Sequence, residues 1–320
     1  MKEIVSSALK DWIPIKLFSS SGIDHCRWLY VDNVNFTEPF FDQTILKCHK
    51  LPVNSKIYRP VSSLDILPKW SGQIESIAPT AFIFHVSRCG STLISQLLGL
   101  NTENIVLAEV PFIDELLRSG HAGKTGVSSL VKAAISLYGA KRNEQNKRLF
   151  IKTDSWHIHF YKQLRELYPE VPFILLYRRP DEVIHSHQKK RGMQAVPGVI
   201  EPGVFNFIQE DIEGIGLDEY MAKVLETYFA AFISILKSDK LAIPVNYNEG
   251  AIPIVKKIAG ATGITLTTDD IESMVQRSSF HAKNPGEVFE EPELDQPIPA
   301  YLEKSFELYR AVERIRIAGL

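Results

Sequence analysis

The chain has 320 residues, 45% of them hydrophobic and 23% charged, a balance that excludes a disordered, collagenous or low-complexity polypeptide. A formal net charge of -2 implies no global attraction to nucleic acid or to a membrane surface, and three widely spaced cysteines (Cys26, Cys48, Cys89) do not make a secreted disulfide framework. One large domain or two modest ones are expected, burying roughly three quarters of the unfolded surface. The N-terminus has no unbroken apolar run ahead of a cleavage pattern, and no stretch approaches the roughly 18 apolar residues of a membrane span. A cytoplasmic protein is expected.

Residues 1–75 read as a β-containing extension, with the β-like runs CRWLYVDNV and QTILKCH punctuated by Pro39, Pro52 and Pro60. Nothing in them groups acids, bases or ligands into a site. Residues 76–320 read as the main domain. AFIFHV (Ala81–Val86) is a continuous apolar run, as in a strand buried on both faces, and STLISQLLGL carries a helical face at Leu93, Leu97 and Leu98. NIVLAE is a second strand and PFIDELL a helix. Val127–Tyr138 is a further helix, RLFIK (Arg148–Lys152) a third strand, and Trp156–Leu167 another helix. VPFILLY is a fourth strand, after which a helix opens at Pro180. Leu217–Leu236 is a long amphipathic helix, LAIPVNY a fifth strand, and Ala300–Ile317 a C-terminal helix. Strands interleaved with helices predict an α/β fold of P-loop type: a central parallel sheet with helices on both faces, plus the small N-terminal extension.

Gly123-Lys124-Thr125 imitates the tail of a triphosphate-binding loop. The required earlier glycine is Arg118, and no strand precedes it, so a surface loop is expected. FIFHVSRCGSTLISQLL is a stronger signal. A buried strand runs into Ser87-Arg88-Cys89-Gly90-Ser91-Thr92 and a helix starts at once, which aims backbone N–H groups and the positive helix end at an anion. Gly90 permits close approach, Ser91 and Thr92 add hydroxyls, and Arg88 adds a fixed charge. A triphosphate loop would carry Lys where Ser91 stands and Gly where His85 stands. The loop is built for a phosphate without the lysine that bridges β- and γ-phosphates.

A second signal is FILLYRRPDEVIHSHQKKRG. Arg178 follows a strand at the edge where parallel sheets bind ligands, Ser186 lies about two helical turns on, and Lys189-Lys190-Arg191 closes the helix. Arginine, hydroxyl and further positive charge describe a phosphate site. Two such sites imply a nucleotide with phosphates at separate positions.

The pair, SRCGST and the later RRPDEVIHS, resembles the 3′-phosphoadenosine 5′-phosphosulfate (PAPS)-dependent sulfotransferases, nearest in style to bacterial family members and the tyrosylprotein sulfotransferases. The resemblance spans roughly Pro79 to Tyr247, with a weaker echo in AKNPGEVFEEPELD. It implies that Ser87–Thr92 form the 5′-phosphosulfate loop and that Arg178 and Ser186 grip the 3′-phosphate. Lys190 or Arg191 supplies a second cation there, spacing not choosing between them, and Lys283 contacts phosphate from the C-terminal segment. The co-substrate implied is PAPS, leaving as adenosine 3′,5′-bisphosphate, with no metal.

Such a reaction holds a sulfonate in line, stabilises its charge and takes a proton from the acceptor. Arg88 and Lys152 are the cations expected at the reacting group, Lys152 ending its strand on the same sheet edge as the loop. Glu109, just past a strand end, is the favoured base, matching a catalytic glutamate of the relatives. Asp154 is the rival, standing where cytosolic members have histidine in a Lys-Thr-His segment; Asp114 is a weaker option. His157 with His159, and His185 with His187, are two apart and make poor chelating pairs on a helix. Cys89 is expected to fill a variable loop position. The segments Met193–Phe207 and Ser278–Asp295 are expected to shape access. The leading expectation is sulfuryl transfer from PAPS to a hydroxyl or amine. The alternatives are an ATP- or GTP-dependent phosphotransferase and a non-catalytic bisphosphate-binding module.

Overall fold

The first elements of the computed structural model, which describes residues 8–55, 59–121, 126–280 and 297–319, form an antiparallel sheet. β1 (Trp12–Ser20) pairs with β2 (Ile23–Tyr30), and β2 pairs with β3 (Val61–Ser63). The hairpin closes on Ser21-Gly22, both left-handed with φ of 51° and 76°, a two-residue turn whose twist matches the strands. Alternation buries Ile13 and Ile15 on β1 and Cys26 and Trp28 on β2, and the Trp28 indole donates to Ser62 Oγ at 2.9 Å.

Next comes α1 (Phe41–Cys48), which corrects the strand expected from QTILKCH. Phe41, Thr44 and Cys48 are buried at spacings of three and four, one face of a helix, so burial overrides the β-branched local composition. After α2 (Ile66–Ser71) the chain alternates as expected: β4 (Pro79–His85), α3 (Ser91–Leu98), β5 (Asn104–Ala108), α4 (Pro111–His121) and α5 (Val127–Tyr138). Then follow β6 (Arg148–Lys152), α6 (Tyr161–Leu167), β7 (Phe173–Tyr177) and α7 (Pro180–Lys189). The C-terminal part holds α8 (Gln209–Ile212), α9 (Leu217–Ser238), β8 (Ala242–Asn246), α10 (Ala251–Ala261), α11 (Thr268–Ser278) and α12 (Glu303–Ala318). The helix expected over Trp156–Leu167 begins instead as a 3₁₀ turn, Ser155–Phe160. Five of its six residues are buried, more than one α-helical face can hide.

Strands β4 to β8 form one five-stranded sheet of order β5-β6-β4-β7-β8, and the registered pairs β5/β6, β4/β7 and β7/β8 are parallel. The chain is therefore α/β, a central parallel sheet with helices around it plus a small antiparallel N-terminal sheet. Among the described residues no helix is long and apolar enough to cross a membrane.

The chain divides into two compact units. The described residues of Met1–Ala81, Ser95–Thr153 and Gln163–Pro169 make the first, and those of Phe82–Ile94, Asp154–Lys162 and Glu170–Leu320 the second. In the first, β1 lies against α4 and α5. Tyr138 donates its hydroxyl to the Pro14 carbonyl, and the Glu115 carboxylate accepts from Leu17 N at 2.6 Å and from Lys16. Arg142 is buried and ties off the end of α5, its Nη1 donating to the Tyr138 carbonyl at 2.9 Å and its Nη2 to that of Leu137 at 3.0 Å.

In the second unit α9 buries Tyr220, Met221, Val224, Leu225, Tyr228, Phe229, Phe232 and Ile235, the stripe its periodicity predicts. Tyr177 at the end of β7 meets the rings of Phe229 and Tyr309, with centroids 6.2 and 5.9 Å away, and gives its hydroxyl to Glu313 on α12. Arg316 grips the same carboxylate through two bonds of 2.9 Å. Burial alone would raise the Glu313 carboxyl, but the hydrogen bonds of Arg316, Tyr177 and Asn246 and the Arg316 charge outweigh it and hold the group below its ordinary value.

Candidate active site

In the second unit β4 delivers the chain into the loop Ser87–Gly90, and α3 begins at Ser91. Ser87, Arg88 and Gly90 have φ of 67°, 47° and 77°. A left-handed backbone costs a non-glycine residue about 1–2 kcal/mol, so two in succession mark a segment whose shape is imposed. At Ser21, turn chemistry explains the conformation, and at Asn206 a helix-ending position does. In the loop the consequence is a concave run of backbone N–H groups at a helix start, the geometry that holds anionic oxygens. The first helical bond of α3 runs from Ile94 N to the Gly90 carbonyl at 3.2 Å, so the amides of Ser91 to Leu93 precede the ladder.

Each end of the loop is fixed. Ser87 N donates to His85 Nδ1 at 3.1 Å, Gln194 Nε2 donates to Ser87 Oγ at 2.5 Å, and Arg88 Nη2 donates to the Lys190 carbonyl at 2.5 Å. Cys89 is fully buried with Sγ 3.6 Å from the Leu176 carbonyl, a core contact. Ser91 and Thr92 are buried in the first turn of α3. Gly90 packs under Tyr247, and a Cβ there would overlap Cε2 and Cδ2 of that ring and come within 2.7 Å of Cζ.

Arg178 follows β7 and is 9% exposed. Its Nε donates to Glu182 at 2.9 Å, and its guanidinium carbon stands 5.1 Å from the centre of the Tyr247 ring. One aromatic ring thus touches both the loop glycine and the arginine. Burial pushes the Tyr247 phenol above its ordinary value, and the Arg178 charge opposes this. Ser186 sits half-buried on α7 with its carbonyl accepting from Lys190 N at 3.3 Å. The Lys190 side chain is exposed. Arg191 is held by Asp218 at 2.5 Å through Nη2, and its Nη1 is buried with no hydrogen-bond partner among the described residues.

In the first unit Glu109 follows β5 and Lys152 ends β6. Glu109 N donates to the Lys152 carbonyl at 2.9 Å, extending the ladder by one bond, and the Lys152 ammonium meets Glu109 Oε1 at 2.5 Å. The Lys152 side chain is wholly buried, while that of Glu109 is 21% exposed. Glu109 is left-handed too, φ 58°, another strained position with no turn residue to explain it. Phe40 places its ring centroid 5.2 Å from Lys152 Nζ. The Glu109 carboxylate acts on Asp42, whose carboxyl is raised first by burial and then by that charge.

Of the other candidate acids, Asp114 is buried and bonded to Arg118 Nε at 2.9 Å. Asp154 precedes the 3₁₀ turn, its N donating to His157 Nδ1 at 3.3 Å and its Oδ2 lying 3.6 Å from His157 Nε2. Lys283, most of the C-terminal access segment and Gly123-Lys124-Thr125 lie outside the described residues. Tyr247, Gln194, Glu182, Phe40 and Asp42 neighbour the residues that the sequence singles out without being singled out themselves. Only Tyr247 left a signal, an aromatic residue directly after a parallel strand, at the edge where ligands bind.

No protein-family model matches the chain, and no curated protein does. Solved structures do. The sulfotransferase domain from the curacin biosynthetic pathway is 13% identical over 74% of this chain and 99% of its own, with a TM-score of 0.48. A sulfotransferase from Alicyclobacillus acidocaldarius is 13% identical over 75% of this chain and 95% of its own, TM-score 0.41. A mouse sulfotransferase complexed with PAP is 11% identical over 69% of this chain and 72% of its own, TM-score 0.38.

Proposed function

We propose that this chain transfers a sulfuryl group from PAPS to a hydroxyl or amine, releasing adenosine 3′,5′-bisphosphate. The observation that carries the reading is the loop: Ser87, Arg88 and Gly90, all left-handed, ahead of a helix whose first residue is Ser91 rather than lysine. Such a concavity of amides suits a terminal sulfonated phosphate and lacks the cation a triphosphate chain requires. The residues fit the co-substrate at its other end as well. Arg178 is nearly buried with its ring partner Tyr247, and Ser186 lies on the following helix. Between Lys190 and Arg191, we assign the second cation to Arg191, because its buried Nη1 has no partner among the described residues.

The co-substrate supplies an activated sulfonate, and the chain's own residues do the rest. Glu109 takes the proton from the acceptor oxygen or nitrogen as that atom bonds to sulfur and the bond from sulfur to the donor's bridging oxygen breaks. Lys152 holds the Glu109 carboxylate in one orientation at 2.5 Å and supplies positive charge. Arg88 is the loop's own charge, its guanidinium steadied by the Lys190 carbonyl. Three free, buried cysteines accord with a reducing, cytoplasmic setting.

Labelled PAPS incubated with an acceptor panel tests the reading. Wild type is expected to transfer label, and Glu109→Gln to lose turnover while keeping bisphosphate affinity. Transfer of label from γ-labelled ATP and none from PAPS would replace this reading with phosphotransfer. Undiminished turnover in Glu109→Gln would move the base to Asp154.

A further inference from the structure

The N-terminal segment carries groups that the proposed reaction leaves unused. Phe40 is half-buried, its ring against the Lys152 ammonium, and Asp42 follows in the first turn of α1, exposed. The segment is anchored on both sides of Phe40. Glu38 accepts from Thr37 N at 3.2 Å, Thr44 Oγ1 at 3.0 Å and Lys47 Nζ at 2.8 Å. Phe41 is buried edge-to-face with Phe36 and Tyr138, at 5.1 and 5.3 Å. The Phe40 ring and the Asp42 carboxylate are therefore held on a fixed backbone yet reach solvent beside the ion pair. Asp42 has no hydrogen-bond or ion-pair partner among the described residues. The Lys152 ammonium pairs with Glu109, and the Asp42 carboxyl is held above its ordinary value by burial and by the Glu109 charge.

Resting on the sulfuryl-transfer reading, we propose that Phe40 and Asp42 form the acceptor subsite beside Glu109, and that it takes a hydroxyl compound with an apolar, planar body bearing an ammonium group. An aromatic face and an uncompensated carboxylate two residues apart together suit an organic cation. A neutral acceptor gains only the ring, and an anionic one meets two like charges. The ammonium settles near Asp42, leaving the hydroxyl of the same molecule for Glu109.

Calorimetry on the full chain, with saturating adenosine 3′,5′-bisphosphate, compares 4-hydroxybenzylamine with 4-methylphenol, which share the phenol and differ in the ammonium. The amine is expected to bind about five-fold more tightly, the upper range for one partly exposed ion pair, with the advantage shrinking in about 0.5 M salt. Asp42→Asn should bring the amine down to the phenol and leave the phenol unchanged, a selective loss that a merely structural role would not produce. Phe40→Leu should weaken both. Equal binding of the two compounds, binding of neither, or an amine preference that survives Asp42→Asn would overturn the proposal. Binding of the bisphosphate is measured first, and its absence counts against the sulfuryl-transfer reading alone, because the amine comparison is then made on the nucleotide-free chain.

Discussion

Gly90→Ala puts a methyl group where the Tyr247 ring already is, within 2.7 Å of Cζ and closer still to Cε2 and Cδ2, on a backbone with φ of 77°. The left-handed backbone costs an alanine about 1–2 kcal/mol. Overpacking against a buried ring adds about 1–3 kcal/mol, because Tyr247 must slide and in doing so leaves the face of Arg178. The total is about 2–5 kcal/mol. With an unfolding entropy of about 2.1 cal/mol/K per residue over 320 residues, each kcal/mol lowers Tm by about 1.5 °C, so a fall of about 3–7 °C is expected. Repeating the substitution in a Tyr247→Ala background should leave only the backbone part, a coupling of about 1–3 kcal/mol. Thermal unfolding of the four proteins measures it. An equal cost in both backgrounds, or no cost in either, would refute the packing account of this loop.

Glu109→Gln strands the fully buried Lys152 ammonium without its counter-charge, so thermal unfolding should show a loss of about 2–4 kcal/mol, most of it restored by adding Lys152→Met. Glu313→Gln should destabilise the chain by about 2 kcal/mol at pH 7, as expected for hydrogen bonds to a charged group. Because the Glu313 carboxyl lies below its ordinary value of 4.5 in the folded chain, its contribution is present above that pH and is lost as pH falls through the folded value. Urea unfolding from pH 7 to pH 3 should therefore show the gap between wild type and variant closing. Burial pushes the Cys26 and Cys48 thiols up to about 11, so a thiol reagent at pH 8 should label the native chain slowly and the unfolded chain promptly.

Much of this was legible in the sequence where one physical signal dominated. The run from Ala81 to Val86, short, apolar and followed by turn residues, reads as a strand buried on both faces, and the glycine and hydroxyl residues behind it point to the loop and helix. Pro180 marked the start of α7, and the stripe of α9 followed its period. The position of Arg178 directly after a parallel strand was legible because FILLY reads as a buried strand. The misreadings have particular causes. In α1 the burial of Phe41, Thr44 and Cys48 against the first unit's core overrode a β-like composition. Left-handed φ at Ser87, Arg88 and Glu109 belongs to residue types that seldom adopt it, so nothing local announces the strain. Phe40 and Asp42 reach the ion pair across some seventy to a hundred and ten residues of chain, a distance no periodicity spans.

On the sulfuryl-transfer proposal the chain reads an adenine nucleotide by two separate anionic ends. Titration calorimetry with adenosine 3′,5′-bisphosphate, adenosine 5′-monophosphate and ATP, on wild type and Arg178→Ala, measures this directly. The bisphosphate should bind wild type at least about ten-fold more tightly than either of the others, the worth of one charged hydrogen-bonded group, and Arg178→Ala should erase that margin over the monophosphate. ATP binding more tightly than the bisphosphate, or a margin indifferent to Arg178, would contradict it.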